Sequence, residues 1–152
     1  MTPGGRPGPE RHRVFLDANV LFSAAYRPDS GLARLWRQAG HVRLLTSSYA
    51  LEEARRNLAG PEARRRLEEL ANGLEIVADV FGGSIPEGVE LPEKDRPILL
   101  AALAAGATHL LTGDRAHFGA YFGRVIAGVR IERPAEYLAS GLPAAKAPPR
   151  HH

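Results

Sequence analysis

The chain contains no cysteine. Disulfides, zinc–thiolate sites and thiol nucleophiles are therefore excluded, and any bound metal must be held by oxygen or imidazole. No stretch approaches the ~20 consecutive apolar residues that a membrane helix needs. The opening Met1 to Arg13 is rich in Gly, Pro and Arg and lacks the apolar core of a secretory signal. No internal repeat is found. These absences set an expectation of a cytoplasmic chain with no membrane partner. What is present is 152 residues, 44% hydrophobic and 24% charged, enough for one globular domain with a single core. Composition marks flexible tails at residues 1–12 and 141–152 around a folded domain spanning 13–140. Twenty basic against 17 acidic residues give a net charge of +3. That excess suits a polyanionic partner, and an Arg-rich compositional bias explains it equally well.

Along the chain, short apolar runs alternate with helical patterns. Val14-Phe15-Leu16 reads as a buried strand ending at Asp17. Ser30 is placed to cap a helix through Leu32, Leu35 and Trp36 that Gly40 closes. Val42 to Leu45 is a second strand, and Thr46-Ser47-Ser48 offers an N-cap for a helix over Tyr49 to Ala59. Pro61 suits the first turn of a further helix reaching about Asn72, and Leu74 to Val77 follows as a strand. Gly and Pro from Phe81 to Leu91 indicate a loop. Asp95 opens a Leu/Ala helix stopped by Gly106. Thr108 to Leu111 is a strand that leaves through Thr112-Gly113-Asp114. A short helix near Ala116 to Phe122, a strand at Val129 to Glu132 and a helix from Pro134 finish the pattern. Such alternation predicts a three-layer α/β/α domain around a central parallel sheet.

In an open parallel sheet, ligands bind beyond the carboxyl ends of the strands. Asp17 follows the first strand directly, and Asp114 follows the Thr108–Leu111 strand by one turn. Asp95 heads a helix and Glu53 lies early in another, so all four belong to the same edge. Each has an ordinary reading alone: a cap for Asp95, a turn for Asp114, a solvated helix face for Glu53. Their coincidence on one edge is what points to chemistry. Clustered carboxylates resist ionisation unless a cation neutralises them, and an oxygen-rich site suits Mg²⁺ or Mn²⁺.

These segments resemble the PIN-domain family. Val14-Phe15-Leu16-Asp17-Ala18-Asn19-Val20-Leu21 is similar to the family's opening strand, with its Asp followed two positions later by Asn. Thr46-Ser47-Ser48-Tyr49-Ala50-Leu51-Glu52-Glu53 resembles the second motif, a small hydroxyl residue followed by a helical Glu. Lys94-Asp95-Arg96-Pro97-Ile98-Leu99, leading through Gly106 to Leu110-Leu111-Thr112-Gly113-Asp114, resembles the third. The likeness covers nearly all of Arg13 to Ala139. It implies a PIN-like fold and a Mg²⁺- or Mn²⁺-dependent endoribonuclease, with Asp17, Glu53, Asp95 and Asp114 as metal ligands. Asn19, Ser47 and Thr112 match polar neighbours that orient carboxylates, water or substrate. Glu52 stands beside Glu53, and helical spacing does not choose between them; the family's pattern favours Glu53. Size and family together imply a toxin of the VapC type, an antitoxin partner and a homodimer.

A nuclease needs cations for the RNA backbone. Candidates are Lys94, Arg96 and Arg115, each adjacent to an expected ligand, then Arg55 and Arg56. Arg64-Arg65-Arg66 suits a solvated helix face. His117 is close enough to Asp114 to touch a phosphate, although an ordinary surface position is the simpler reading. Two other classes compete. A haloacid-dehalogenase-type phosphatase also places Asp after its first strand but needs a second Asp at position 19, where this chain has Asn. A non-catalytic RNA- or partner-binding PIN domain would be expected to have lost some of the four acids.

Overall fold

The computed structural model describes residues 11–38 and 41–142. The expected tails and Gly40 fall almost wholly outside these ranges. Within them, the first strand, β1 (His12–Leu16), is central in a six-stranded sheet. Its Val14, Phe15 and Leu16 are fully buried, as expected of a parallel strand covered on both faces. Asp17 ends it and caps α1 (Ala18–Tyr26), accepting a 2.7 Å hydrogen bond from the Ala18 amide. This helix has no counterpart among the elements expected from sequence. Its apolar residues fall on more than one face: Val20, Leu21, Ala24 and Ala25 form the buried stripe, while Phe22 and Tyr26 lie outside it.

One turn, α2 (Ala33–Trp36), follows. It is shorter than expected, and Ser30 does not stand at its cap position, although its hydroxyl accepts from the Leu32 amide at 3.4 Å. Next come β2 (Val42–Ser47), α3 (Ser48–Asn57), α4 (Pro61–Ala71) and β3 (Glu75–Val77). A 3₁₀ turn at Glu93–Asp95 leads into α5 (Arg96–Ala104). Gly106, with φ of 70°, ends that helix, as the left-handed position requires. Its amide donates to Leu103 and that of Ala107 to Ala102, the paired bonds that close helices of this kind. The remaining elements are β4 (His109–Leu111), α6 (Arg115–Phe118), β5 (Val125–Ile126), β6 (Val129–Glu132) and α7 (Pro134–Glu136), with a wider π turn at Tyr137–Gly141.

The sheet order is β3-β2-β1-β4-β6-β5, and the architecture is the expected α/β/α sandwich. All pairings are parallel except β5–β6. This antiparallel edge hairpin leaves little trace in the sequence, because β5 is only two residues long and its turn is Ala127-Gly128. Ala127 sits at φ 49°, where Asn or Gly is the usual occupant. Helix α1 packs on α3 and α4, and the core continues through Leu35, Leu67, Ile98, Leu99 and Phe118. Among the described residues no helix is long and apolar enough to cross a membrane.

The chain direction reverses across β1. From β1 it proceeds outward to β2 and β3, then returns to add β4 on the other side. A crevice at the carboxyl ends of β1 and β4 is the consequence, and such a switch point is where open α/β sheets bind ligands.

Candidate metal centre

Each acid reaches that crevice by a different local device. Asp17 is 5% exposed, and the Thr112 hydroxyl donates to its Oδ2 at 2.9 Å. Asn19 ties the two strand ends together. Its amide donates to Thr112 Oγ1 at 3.2 Å and to Asp17 Oδ2 at 3.4 Å, and its carbonyl accepts from the Gly113 amide at 2.8 Å. Asp114 caps α6 through the His117 amide at 3.0 Å. Asp95, at the α5 boundary, makes no side-chain capping bond. Its Oδ2 is buried with no hydrogen-bond partner. Glu53 enters from α3.

Asp17, Glu53, Asp95 and Asp114 line one cleft of about 310 Å³, together with Asn19 and Lys94. Glu52 does not line it. It is exposed and paired with Arg55 at 2.8 Å. A larger hollow of about 390 Å³ lies at the amino ends of β2 and β3. Its acid, Glu75, is already engaged by Arg13 and Arg43 at 3.6 and 3.5 Å, so size alone does not locate the chemistry.

The electrostatics mark the cleft as short of positive charge. Burial pushes the Asp17 carboxyl up from 3.8 to about 6, although the Thr112 hydroxyl and Ala18 amide pull the other way. The charges of Asp95 and Glu53 add to the rise. Asp95 is also raised, first by burial and then by Asp114, with His117 and Lys94 opposing. Burial likewise raises Tyr49, with Glu53 and Asp95 contributing. A cation placed among these acids would favour their ionised forms.

The other expected residues divide. Thr112 is fully buried and acts on Asp17, not on solvent. Ser47, expected to touch substrate, is fully buried and spends its hydroxyl on the Ala50 amide at 3.2 Å, capping α3. Buried there, it has no open side for a ligand. Lys94 lies on the cleft wall, exposed, with its backbone carbonyl held by the Tyr49 hydroxyl at 2.7 Å. Arg96 is exposed but turns its Nε toward the Leu91 carbonyl at 3.4 Å, and it does not line the cleft. Arg115 is exposed beside Asp114. Arg55 is taken up by Glu52 and Glu68.

Three features of the cleft go beyond the residues expected from sequence. Phe22 and Ser23 line it from α1, a helix that sequence patterning does not reveal. Asn57 also lines it. It lies one helical turn beyond Glu53, a spacing that flags it as a neighbour on the same face. His117, for which a surface position is the simpler reading, sits with Nδ1 2.9 Å from Asp95 Oδ2 and 2.9 Å from Asp114 Oδ2.

Fold and cleft together define a class: a doubly wound α/β domain with an acidic, oxygen-lined crevice at its switch point. The profile of the PIN domain matches residues 13–116. Spanning more than half of the chain, that match settles the family, and the chain belongs to the PIN domains, whose members are generally nucleases using divalent metal. No curated protein matches it significantly. Among solved structures it is similar to VapBC2 from Rickettsia felis bound to a DNA fragment from their promoter. The likeness is 21% in sequence with a TM-score of 0.58, covering 80% of this chain and 98% of that one. At that identity the likeness concerns the fold.

Proposed function

We propose that this protein is a metal-dependent endoribonuclease that hydrolyses phosphodiester bonds of single-stranded RNA. The observation that carries the proposal is the convergence of Asp17, Glu53, Asp95 and Asp114 on one cleft at the carboxyl ends of β1 and β4. The donor set fits Mg²⁺ or Mn²⁺, being hard and oxygen-rich. The buried Asp95 Oδ2, which makes no hydrogen bond and has the His117 Nδ1 beside it at 2.9 Å, fits a cation ligand. A bound ion of this kind lowers the pKa of water and stabilises charge on the scissile phosphate.

The chain's own residues supply the rest. Thr112 and the Ala18 amide hold both Asp17 oxygens in place, so that carboxylate needs no rearrangement on binding. Asn19 fixes the loop after β4 relative to α1. Lys94 on the wall and Arg115 at the rim meet the phosphate backbone, and their charge makes binding salt-dependent. Asn at position 19 removes the second acid that a haloacid-dehalogenase-type phosphatase would use.

The biological setting we infer is a cytoplasmic toxin–antitoxin pair. Resemblance to the VapC type supports it, as does the likeness in fold to a VapBC2 complex. The partners would be a small antitoxin and a second copy of this chain. The test of the chemistry is cleavage of a mixed single-stranded RNA with Mn²⁺, Mg²⁺ or EDTA, beside Asp17→Asn. Metal-dependent cutting that the variant lacks is expected. Metal binding by the wild type without any cutting would favour a binding role instead.

A further inference from the structure

The geometry points to His117 as a nitrogen ligand of the ion held by Asp95 and Asp114, a donor that biases the centre toward Mn²⁺ over Mg²⁺. The inference rests on the nuclease reading above and concerns the same cleft. The Asp114 carboxylate caps α6, and its Oδ1 takes the His117 amide at 3.0 Å. That bond brings the imidazole back over the cap. Its Nδ1 then lies 2.9 Å from Asp114 Oδ2 and 2.9 Å from Asp95 Oδ2. Nδ1 and the two oxygens all fall within 4.8 Å of one another.

Two arguments separate a ligand from an incidental contact. First, adjacent donors on an octahedral ion with ~2.1 Å bonds stand ~3.0 Å apart. Both Nδ1–oxygen separations match that edge. Second, the one N–H that Nδ1 can carry makes a well-aligned hydrogen bond to only one of the two acids. The hydrogen bond from Nδ1 goes to Asp114 at 2.9 Å, and Asp95 Oδ2, in a residue 8% exposed, has the same nitrogen at 2.9 Å but makes no hydrogen bond. An ion with several open positions satisfies all three atoms at once. The tautomer carrying its proton on Nε2 then presents the Nδ1 lone pair.

An imidazole donor alters which ion is preferred. Mg²⁺ favours an all-oxygen, water-rich shell, whereas first-row transition ions accept imidazole readily. Mn²⁺ takes oxygen and nitrogen together, so Asp95, Asp114 and His117 suit it better than Mg²⁺. Loss of an outer-shell partner already costs ~10–100-fold in metal affinity. Loss of a direct donor should cost Mn²⁺ at least ~10-fold on that scale, and Mg²⁺ distinctly less.

The test is pulsed electron paramagnetic resonance on the full chain loaded with Mn²⁺, with Mn²⁺ and Mg²⁺ affinities measured by calorimetry. Wild-type protein is expected to show a ¹⁴N coupling of imidazole type that ¹⁵N-histidine labelling converts and His117→Gln removes. The ratio of Mn²⁺ to Mg²⁺ affinity should fall about tenfold in His117→Gln. Mn²⁺ bound without nitrogen coupling would overturn the inference and leave the nuclease reading intact. So would a coupling that survives in His117→Gln, or an equal loss for both ions, which would make His117 a support for Asp114. Failure of the wild type to bind Mn²⁺ at all would overturn both. The spectroscopic result on wild-type protein does not depend on how the variant folds.

Discussion

Replacing Asp17 with asparagine should stabilise the metal-free protein at pH 8 relative to acid, and the structure gives the size of the swing. The Asp17 carboxyl is 5% exposed and pushed up from 3.8 to about 6, chiefly by burial. Each tenfold change in proton affinity is worth ~1.4 kcal/mol. Holding this group ionised therefore costs the folded state roughly 3 kcal/mol above pH 6. The sign follows from proton counts. Between pH 4 and 6 the folded state retains a proton that the unfolded state has lost, so Asp17 makes stability fall as pH rises through that window. Asparagine removes the cost and introduces another. Its carbonyl can keep the Ala18 amide, but its NH₂ must face the Thr112 hydroxyl. The oxygen of that hydroxyl already accepts from Asn19 and from the Asp114 amide. A lost buried hydrogen bond costs ~1–3 kcal/mol. The net effect is thus between zero and about 2 kcal/mol of stabilisation at pH 8. It should turn into destabilisation of about 1–3 kcal/mol near pH 4.

His109 complicates the wild-type curve. Burial, aided by the charges of His12 and Arg130, lowers it from 6.5 to about 4, so it makes stability rise with pH over almost the same window. The two trends oppose one another, and only the difference between variant and wild type isolates Asp17. Urea denaturation in EDTA from pH 4 to 8 measures that difference. A swing of about 3 kcal/mol in favour of the variant toward high pH is expected. A difference that stays constant, or grows toward acid, would refute the reasoning. Saturating Mn²⁺ should restore the wild type, by ~2.7 kcal/mol at one hundred times its dissociation constant.

Glu53→Gln should abolish cleavage and weaken metal binding, whereas Glu52→Gln should leave both near wild type; equal effects in paired assays would contradict the geometry of α3. Ala127→Gly should raise stability by ~0.5–1 kcal/mol in denaturant titrations, since glycine relieves the left-handed backbone of the β5–β6 turn. No gain would mean that alanine is unstrained there. Arg115→Ala should reduce the slope of log affinity against log salt by ~0.7 for single-stranded RNA. An unchanged slope would remove Arg115 from the phosphate path.

Much of the fold is legible because buried parallel strands leave continuous apolar runs, as in Val14-Phe15-Leu16 and Leu110-Leu111, and because Pro61 and Gly106 punctuate their helices. Helix α1 is not legible. It is apolar on several sides and begins at an Asp that looks like a charge against a strand, when it is also a cap. The β5–β6 hairpin is hidden by its two-residue strand and by alanine where Asn or Gly would signal the turn. In the cleft, strand ends announce Asp17 and Asp114, and the breakpoint before the Leu/Ala helix announces Asp95. Neither periodicity nor spacing can choose Glu53 over Glu52, since the choice depends on how α3 turns toward β1. Ser47 misleads because a hydroxyl at a strand end can serve a ligand or a helix, and here burial leaves only the helix. His117 is undervalued by sequence because its meaning lies in a contact with Asp95, more than twenty residues away along the chain.

The most direct measurement is anomalous diffraction from crystals of the wild-type protein soaked in Mn²⁺. A peak in the cleft coordinated directly by Asp95 and Asp114, with Asp17 or Glu53 completing the shell, is the predicted result. No peak there, with the carboxylates occupied only by water, would contradict the claim that these four acids converge to hold a metal.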